Sequence, residues 1–216
     1  VYNQLDDDSE AVWSLLLASG YLKVVSIEKK VVGKRQLYEL SLTNMEVLDM
    51  FYDMVRGWFK KSAGNYNAFV KALLINDVEA MNEYMNVISE EIFSNFDVGT
   101  KPSKLQPERF YHGFVLGLLV DLAEDYIVTS NRESGFGRYD VMIEPKDRSK
   151  EAFILEFKVY NPRKEDSLEE TVENALIQIE EKQYETNLSA KGIPIDNIKK
   201  YGFAFKGKKV LIGCRG

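Results

Sequence analysis

Ala152-Phe153-Ile154-Leu155-Glu156-Phe157-Lys158-Val159 is an apolar run broken by two charges set two residues apart. Side chains on a strand alternate between faces. Glu156 and Lys158 therefore share one face, and Phe153, Leu155, Phe157 and Val159 the other. Sixteen residues before Glu156 stands Asp140, inside Arg138-Tyr139-Asp140-Val141-Met142-Ile143. The same alternation puts Asp140 with Arg138 and Met142, opposite Tyr139, Val141 and Ile143. Paired as a hairpin, the two runs bring two carboxylates and an ammonium to one side of a sheet. Burying such a trio costs several kcal/mol unless something offsets it. A divalent metal offsets it, and that points to phosphodiester chemistry.

The donor set suits a hard cation. Mg²⁺ takes oxygen ligands and keeps several waters. Asp140 and Glu156 offer carboxylates, and the carbonyl of Phe157 a third oxygen. Such a cation polarises a scissile phosphate and makes water a better nucleophile. Lys158, one pleat from Glu156, is placed to orient that water or to stabilise charge in the transition state. Upstream, Glu108, His112, Val115, Leu119 and Leu122 fall on one helical stripe. The stripe makes Glu108 a further metal ligand, direct or through water. His112, the single histidine, is read two ways: a core histidine holding a carboxylate, or a direct participant. Arg138 either holds a phosphate or neutralises the acidic cluster. Gln178, on a later helix, either reaches the water or phosphate or is structural. Gly135-Phe136-Gly137 fits a tight turn near a ligand as well as an ordinary hairpin loop.

The chain has 216 residues, 45% of them apolar and 12% aromatic, enough for one large or two small domains. Its 28 basic and 34 acidic residues give a net charge of −6. That excludes a basic nucleic-acid coat protein but not a nuclease, whose metal-binding carboxylates are themselves acidic. Residues 191–216 hold seven basic side chains against Asp196. They form a solvated face or a phosphate contact beside the site. Cys214 is the single cysteine, so internal disulfides are impossible and a reducing, cytoplasmic setting is expected. No apolar run approaches the ~18 residues of a membrane span. The chain opens at Val1 and is read as a piece of a longer protein.

Residues 1–62 read as a small winged-helix-like α+β unit of helix, hairpin and helix, with the turn at Gly33-Lys34-Arg35. The polar stretch Lys60 to Asn65 is the expected boundary. Residues 65–216 follow, with a helical lead-in over 65–100 and a loop at Gly99 to Lys104. A buried helix is expected from Pro107 to about Asp125, with Gly113 and Gly117 allowing close contact to the sheet. Strands are expected at Tyr126 to Ser130, Arg138 to Ile143 and Ala152 to Tyr160. A helix from Ser167 to about Tyr184 and two final strands complete the unit.

That order, an αβββαβ core with a mixed central sheet, resembles the restriction-endonuclease-like fold of the PD-(D/E)XK nuclease superfamily. Glu108-Arg109-Phe110-Tyr111-His112-Gly113-Phe114, the stretch Ser130 to Asp140, and Ile154-Leu155-Glu156-Phe157-Lys158 look like the C-terminal nuclease-like domain of bacterial AAA-ATPase-like proteins. So do Ala175-Leu176-Ile177-Gln178-Ile179 with Lys182 and Tyr184, and Tyr201 to Lys208. The resemblance implies Asp140, Glu156 and Lys158 as the superfamily's catalytic carboxylates and lysine, Glu108 as its helical glutamate, and Tyr184 in support. Tyr139 stands where the superfamily's name has Pro. The resemblance also implies Mg²⁺, or Mn²⁺ in its place, nucleic acid as substrate with DNA ahead of RNA, and an ATPase domain of the same full-length chain as partner. The chain itself has no G-x-x-x-x-G-K-[ST], so no ATP hydrolysis is assigned to it.

Three readings compete. One is a Mg²⁺-dependent nuclease domain. The second is a catalytically silent module on the same fold, regulating an ATPase. The third is a DNA-binding protein working through residues 1–62.

Overall fold

The strand that carries Glu156 and Lys158 lies at the centre of a five-stranded sheet. The computed structural model describes residues 11–29, 36–58, 63–96 and 107–215. Packing divides the chain into two units, Val1–Gly57 and Trp58–Gly216.

In the first unit, α1 (Ala11–Ala18) stops where Gly20 turns left-handed at φ +80°. β1 (Leu22–Lys29) and β2 (Gln36–Leu42) pair antiparallel, with an irregularity between Val24 and Ser26. The turn expected at Gly33-Lys34-Arg35 lies outside the described residues. α2 (Met45–Trp58) starts where Asn44 Oδ1 accepts the Val47 N–H at 2.9 Å.

The second unit opens with α3 (Ala63–Leu74) and α4 (Val78–Phe96). Gly64 and Asn65, expected in the boundary, lie inside α3. The loop expected at Gly99 to Lys104 lies outside the described residues. α5 (Pro107–Leu118) is shorter than expected. From Leu119 on, the hydrogen bonds tighten to a 3₁₀ turn over Val120–Glu124, with Leu122 N–H on Leu119 O and Asp125 N–H on Leu122 O. β3 (Tyr126–Ser130), β4 (Glu133–Ser134), β5 (Gly137–Arg138), β6 (Val141–Pro145) and β7 (Ala152–Val159) follow. Then come α6 (Leu168–Lys182), α7 (Thr186–Ala190), β8 (Ile198–Lys206) and β9 (Lys209–Arg215).

The large sheet has the order β3-β6-β7-β8-β9. Only the β7–β8 pair is parallel, with α6 in its crossover. This is the mixed α/β, restriction-endonuclease-like arrangement expected from the sequence. Among the described residues no helix is long and apolar enough to cross a membrane.

One strand departs from expectation. Arg138 to Ile143 is not continuous: β5 pairs with β4 in a separate two-stranded ribbon, and β6 begins only at Val141. The break lies opposite Asn131, whose φ of +52° kinks the partner segment. Alternation therefore fails across it. Tyr139 is buried with Met142 and Ile154 on the α6 side, not with Val141 and Ile143. Asp140 sits between the two strands, half-buried.

Two glycines let α6 come close to the sheet. Gly202 and Gly213 face each other across β8 and β9. A Cβ on Gly202 would lie 2.7 Å from the Val172 carbonyl and 3.1 Å from Ala175 Cβ; one on Gly213 would lie 2.6 Å from Val172 Cγ1. Gly113, expected to serve this purpose on α5, is exposed, and a Cβ there would meet nothing within 4 Å. On the opposite face Phe157 packs edge-on to Phe203, and Tyr111 of α5 stacks on Phe205 at 4.2 Å.

The β9 edge is closed by side chains of α4. Asn82 donates to Ile212 O and accepts from Ile212 N–H, both at 2.8 Å. Asn86 does the same to Val210, at 2.8 and 2.9 Å. Residues four apart on a helix and two apart on a strand have similar spacing, so the two amides act as a substitute strand on an otherwise open edge.

Candidate active site

The β6–β7 ladder ends at Val141 and Leu155, which leaves the rest of β7 without a strand on that side. Asp140 fills the gap. Its Oδ2 accepts the Phe157 N–H at 2.8 Å. The N–H and C=O of one strand residue point to the same side, so the Phe157 carbonyl faces the Asp140 edge as well. The break that interrupts the strand is thus what brings this carboxylate to the edge of β7.

Glu156 and Lys158 project to the α6 face, where Gln178 joins them. The Gln178 amide donates from Nε2 to Glu156 Oε1, and its Oε1 accepts from Lys158 Nζ at 2.7 Å. Glu156 is 3% exposed. Gln178 Nε2 also lies 3.2 Å from Tyr184 Oη, which donates to the Arg138 carbonyl at 2.7 Å. Burial, reinforced by the fields of Glu156 and Asp140, outweighs the Gln178 hydrogen bond and pushes the Tyr184 phenol above its ordinary value. It therefore stays a donor at neutral pH.

The β4–β5 ribbon is tied to the same corner. Ser134 Oγ donates to Tyr184 O at 2.6 Å and Phe136 N–H to Lys182 O at 2.7 Å. Arg138 gives its carbonyl to this network, while its side chain is exposed.

His112, expected beside the carboxylates, lies elsewhere. Its ring packs on Phe157 at 5.5 Å, on the face of β7 opposite Glu156 and Lys158. His112 Nδ1 lies 3.2 Å from Asn131 Nδ2, and Asn131 N–H donates to Asp140 O at 3.1 Å. His112 thus reaches the site through the segment that holds Asp140. Glu108, one turn earlier on α5, has its side chain outside the described residues.

Glu165 went unnoticed in the sequence. In the loop leaving β7 it accepts from Asn161 N–H at 2.9 Å, Thr171 Oγ1 at 2.9 Å and Asn174 Nδ2 at 3.2 Å. Burial pushes its carboxyl up, but these hydrogen bonds and the charge of Lys158 outweigh that and hold it below its ordinary value. It opens the stretch Glu165 to Glu185, where eight acidic side chains stand against Lys182 alone, a pattern whose ordinary meaning is a solvated face.

Among the described residues no group of three His, Cys, Asp or Glu side chains converges. Asp140 is hydrogen-bonded to the β7 residue that follows Glu156, so two carboxylates and the Phe157 carbonyl, all hard oxygen donors, belong to or adjoin one stretch of β7. This set fits a small divalent cation that retains waters, and the buried Glu156 carboxylate is of the kind that metals or ion pairs accompany.

The sequence model of the PD-(D/E)XK nuclease superfamily matches residues 106–214. No curated protein and no solved structure matches.

Proposed function

The chain belongs to the PD-(D/E)XK nuclease superfamily, and from that premise we propose that its second unit hydrolyses phosphodiester bonds of nucleic acid, with DNA as substrate. Nucleases of this superfamily generally use divalent metals. Mg²⁺, or Mn²⁺ in its place, would be held here by Asp140, Glu156 and the Phe157 carbonyl, with Glu108 as a further oxygen donor from α5. The cation would supply Lewis-acid polarisation of the phosphate.

The observation that carries this reading is the bridge Lys158–Gln178–Glu156 beside Asp140. Lys158 is held by a neutral amide and keeps its charge available to a phosphate. Gln178 orients both Lys158 and Glu156, and Tyr184 in turn orients Gln178. Preorganised charge of this kind is where most of the rate enhancement in such sites comes from.

Substrate handling fits the same end of the sheet. β7 and β8 run parallel, so the loop after Val159 and the turn after Lys206 lie side by side, and Lys206 Nζ sits over the Tyr160 ring at 4.3 Å. Arg163, Lys164, Lys206, Lys208 and Lys209 are exposed there. They would track a phosphate backbone leaving the site, despite the net negative charge of the chain. The motifs shared with AAA-ATPase-like proteins support a cytoplasmic ATPase domain of the same full-length protein as partner.

Titration calorimetry with Mg²⁺ and Mn²⁺ tests the reading. Wild type is expected to bind and Asp140→Ala to lose binding. No binding by wild type would overturn it in favour of the silent regulatory module.

A further inference from the structure

Phe136 is the most exposed large apolar side chain among the described residues, at 73%. It stands at the tip of the β4–β5 ribbon, in a two-residue turn closed by the Ser134–Gly137 pair. Gly135 precedes it at φ +59°, the glycine-first arrangement of a type II′ turn.

This tip is held rigidly. A Cβ on Gly135 would lie 2.1 Å from Lys182 O and 2.3 Å from Gln183 O, and one on Gly137 would lie 3.1 Å from the Lys182 side chain. Phe136 N–H, Ser134 Oγ and the Arg138 carbonyl are each hydrogen-bonded to the C-terminal end of α6 or to Tyr184. An apolar ring is thus kept in water by a backbone with no freedom to withdraw it. Exposed Arg132 and Arg138 flank it, and the ribbon leads straight into Asp140.

We propose that Phe136 is a stacking platform for an unpaired base of the substrate, with Arg132 and Arg138 holding the adjoining phosphates. The proposal rests on the nuclease reading and narrows its substrate to single-stranded or frayed nucleic acid, because a paired base offers no face to the ring. Three residues separate Phe136 from Asp140, and the four steps of chain between them span at most ~13 Å. The stacked base therefore lies within about four nucleotides of the scissile phosphate at ~3.4 Å per step. A preformed ring keeps the ordering cost of binding low.

The test is fluorescence anisotropy with a labelled single-stranded oligonucleotide in EDTA, so that neither metal binding nor cleavage enters. Phe136→Ala is expected to weaken binding by roughly 5- to 150-fold, and Phe136→Trp to restore it. Moving a single abasic site along the strand should find one position that costs wild type the same factor and costs Phe136→Ala nothing. A blunt duplex should not discriminate the two proteins. Equal binding of the strand by wild type and Phe136→Ala, or no binding by wild type, overturns the proposal. So does a loss of self-association in Phe136→Ala without any effect on the strand, which would assign the tip to a protein contact. If calorimetry shows no metal binding while the abasic pattern holds, the nuclease reading fails and the base platform stands. Metal binding with no effect of Phe136→Ala gives the reverse.

Discussion

Replacing Gly202 by alanine puts a methyl group where α6 already touches the sheet. The new Cβ would lie 2.7 Å from the Val172 carbonyl, 3.1 Å from Ala175 Cβ and 3.2 Å from Leu176 Cγ. The first of these is backbone, which no rotamer change relieves, and it falls short of ordinary contact by about 0.7 Å. Either α6 withdraws from the sheet or β8 bends, and overpacking of this kind costs about 1–3 kcal/mol. Alanine returns about 0.5–1 kcal/mol by restricting the unfolded chain. The net loss is centred on about 1 kcal/mol and reaches at most about 2.5 kcal/mol, which at about 2–4 °C per kcal/mol is a fall of up to about 10 °C in Tm for a chain of this size. Thermal unfolding by circular dichroism measures it, with Gly113→Ala as control. Gly113 is exposed on α5 with nothing within 4 Å of a Cβ, so that variant should match or exceed wild type. A Tm for Gly202→Ala at or above wild type, with Gly113→Ala below it, would refute the claim that the Gly202–Gly213 pair sets the position of α6.

Three further expectations concern the site and its frame. Gln178→Leu removes the bridge between Lys158 and Glu156 and should lower metal affinity about 10- to 100-fold by calorimetry. Glu165→Gln should cost about 1–2 kcal/mol at pH 7, read by urea denaturation. The folded-state carboxyl of Glu165 is held below its ordinary value of 4.5, so its stabilisation is present above that pH and is lost as pH falls through the folded value. The gap between wild type and variant should therefore close in acid; a gap that widens there would contradict the assigned hydrogen bonds. Asn82→Ala strips the Ile212 N–H and C=O of their partners and should lower the urea midpoint by about 1–3 kcal/mol equivalent.

Much of this was legible in the sequence because β7 and α6 obey simple periods. Glu156, Lys158 and Gln178 fall where alternation and helical spacing put them, and Ser167 caps α6 as its residue type suggests, accepting from Glu170 N–H at 3.2 Å. What escaped has a tertiary cause. Asp140 leaves its strand because Asn131 kinks the neighbouring segment, and a left-handed Asn has no reliable local signal. α5 stops at Leu118 although its apolar pattern continues, because burial of the following turn needs no α-helix. Gly113 sat on a conspicuous helical spacing, yet Gly202 and Gly213 make the close approach, being adjacent only through strand pairing. His112 lies on the stripe expected of it, but its ring covers Phe157 and not the carboxylates.

The most direct test of the central claim is cleavage of labelled single- and double-stranded DNA by wild type and Lys158→Met under metal-saturating conditions. The account predicts cleavage that EDTA abolishes and that Lys158→Met lowers by about 10²–10³ while metal binding persists. Metal-dependent cleavage continuing undiminished in Lys158→Met would contradict it.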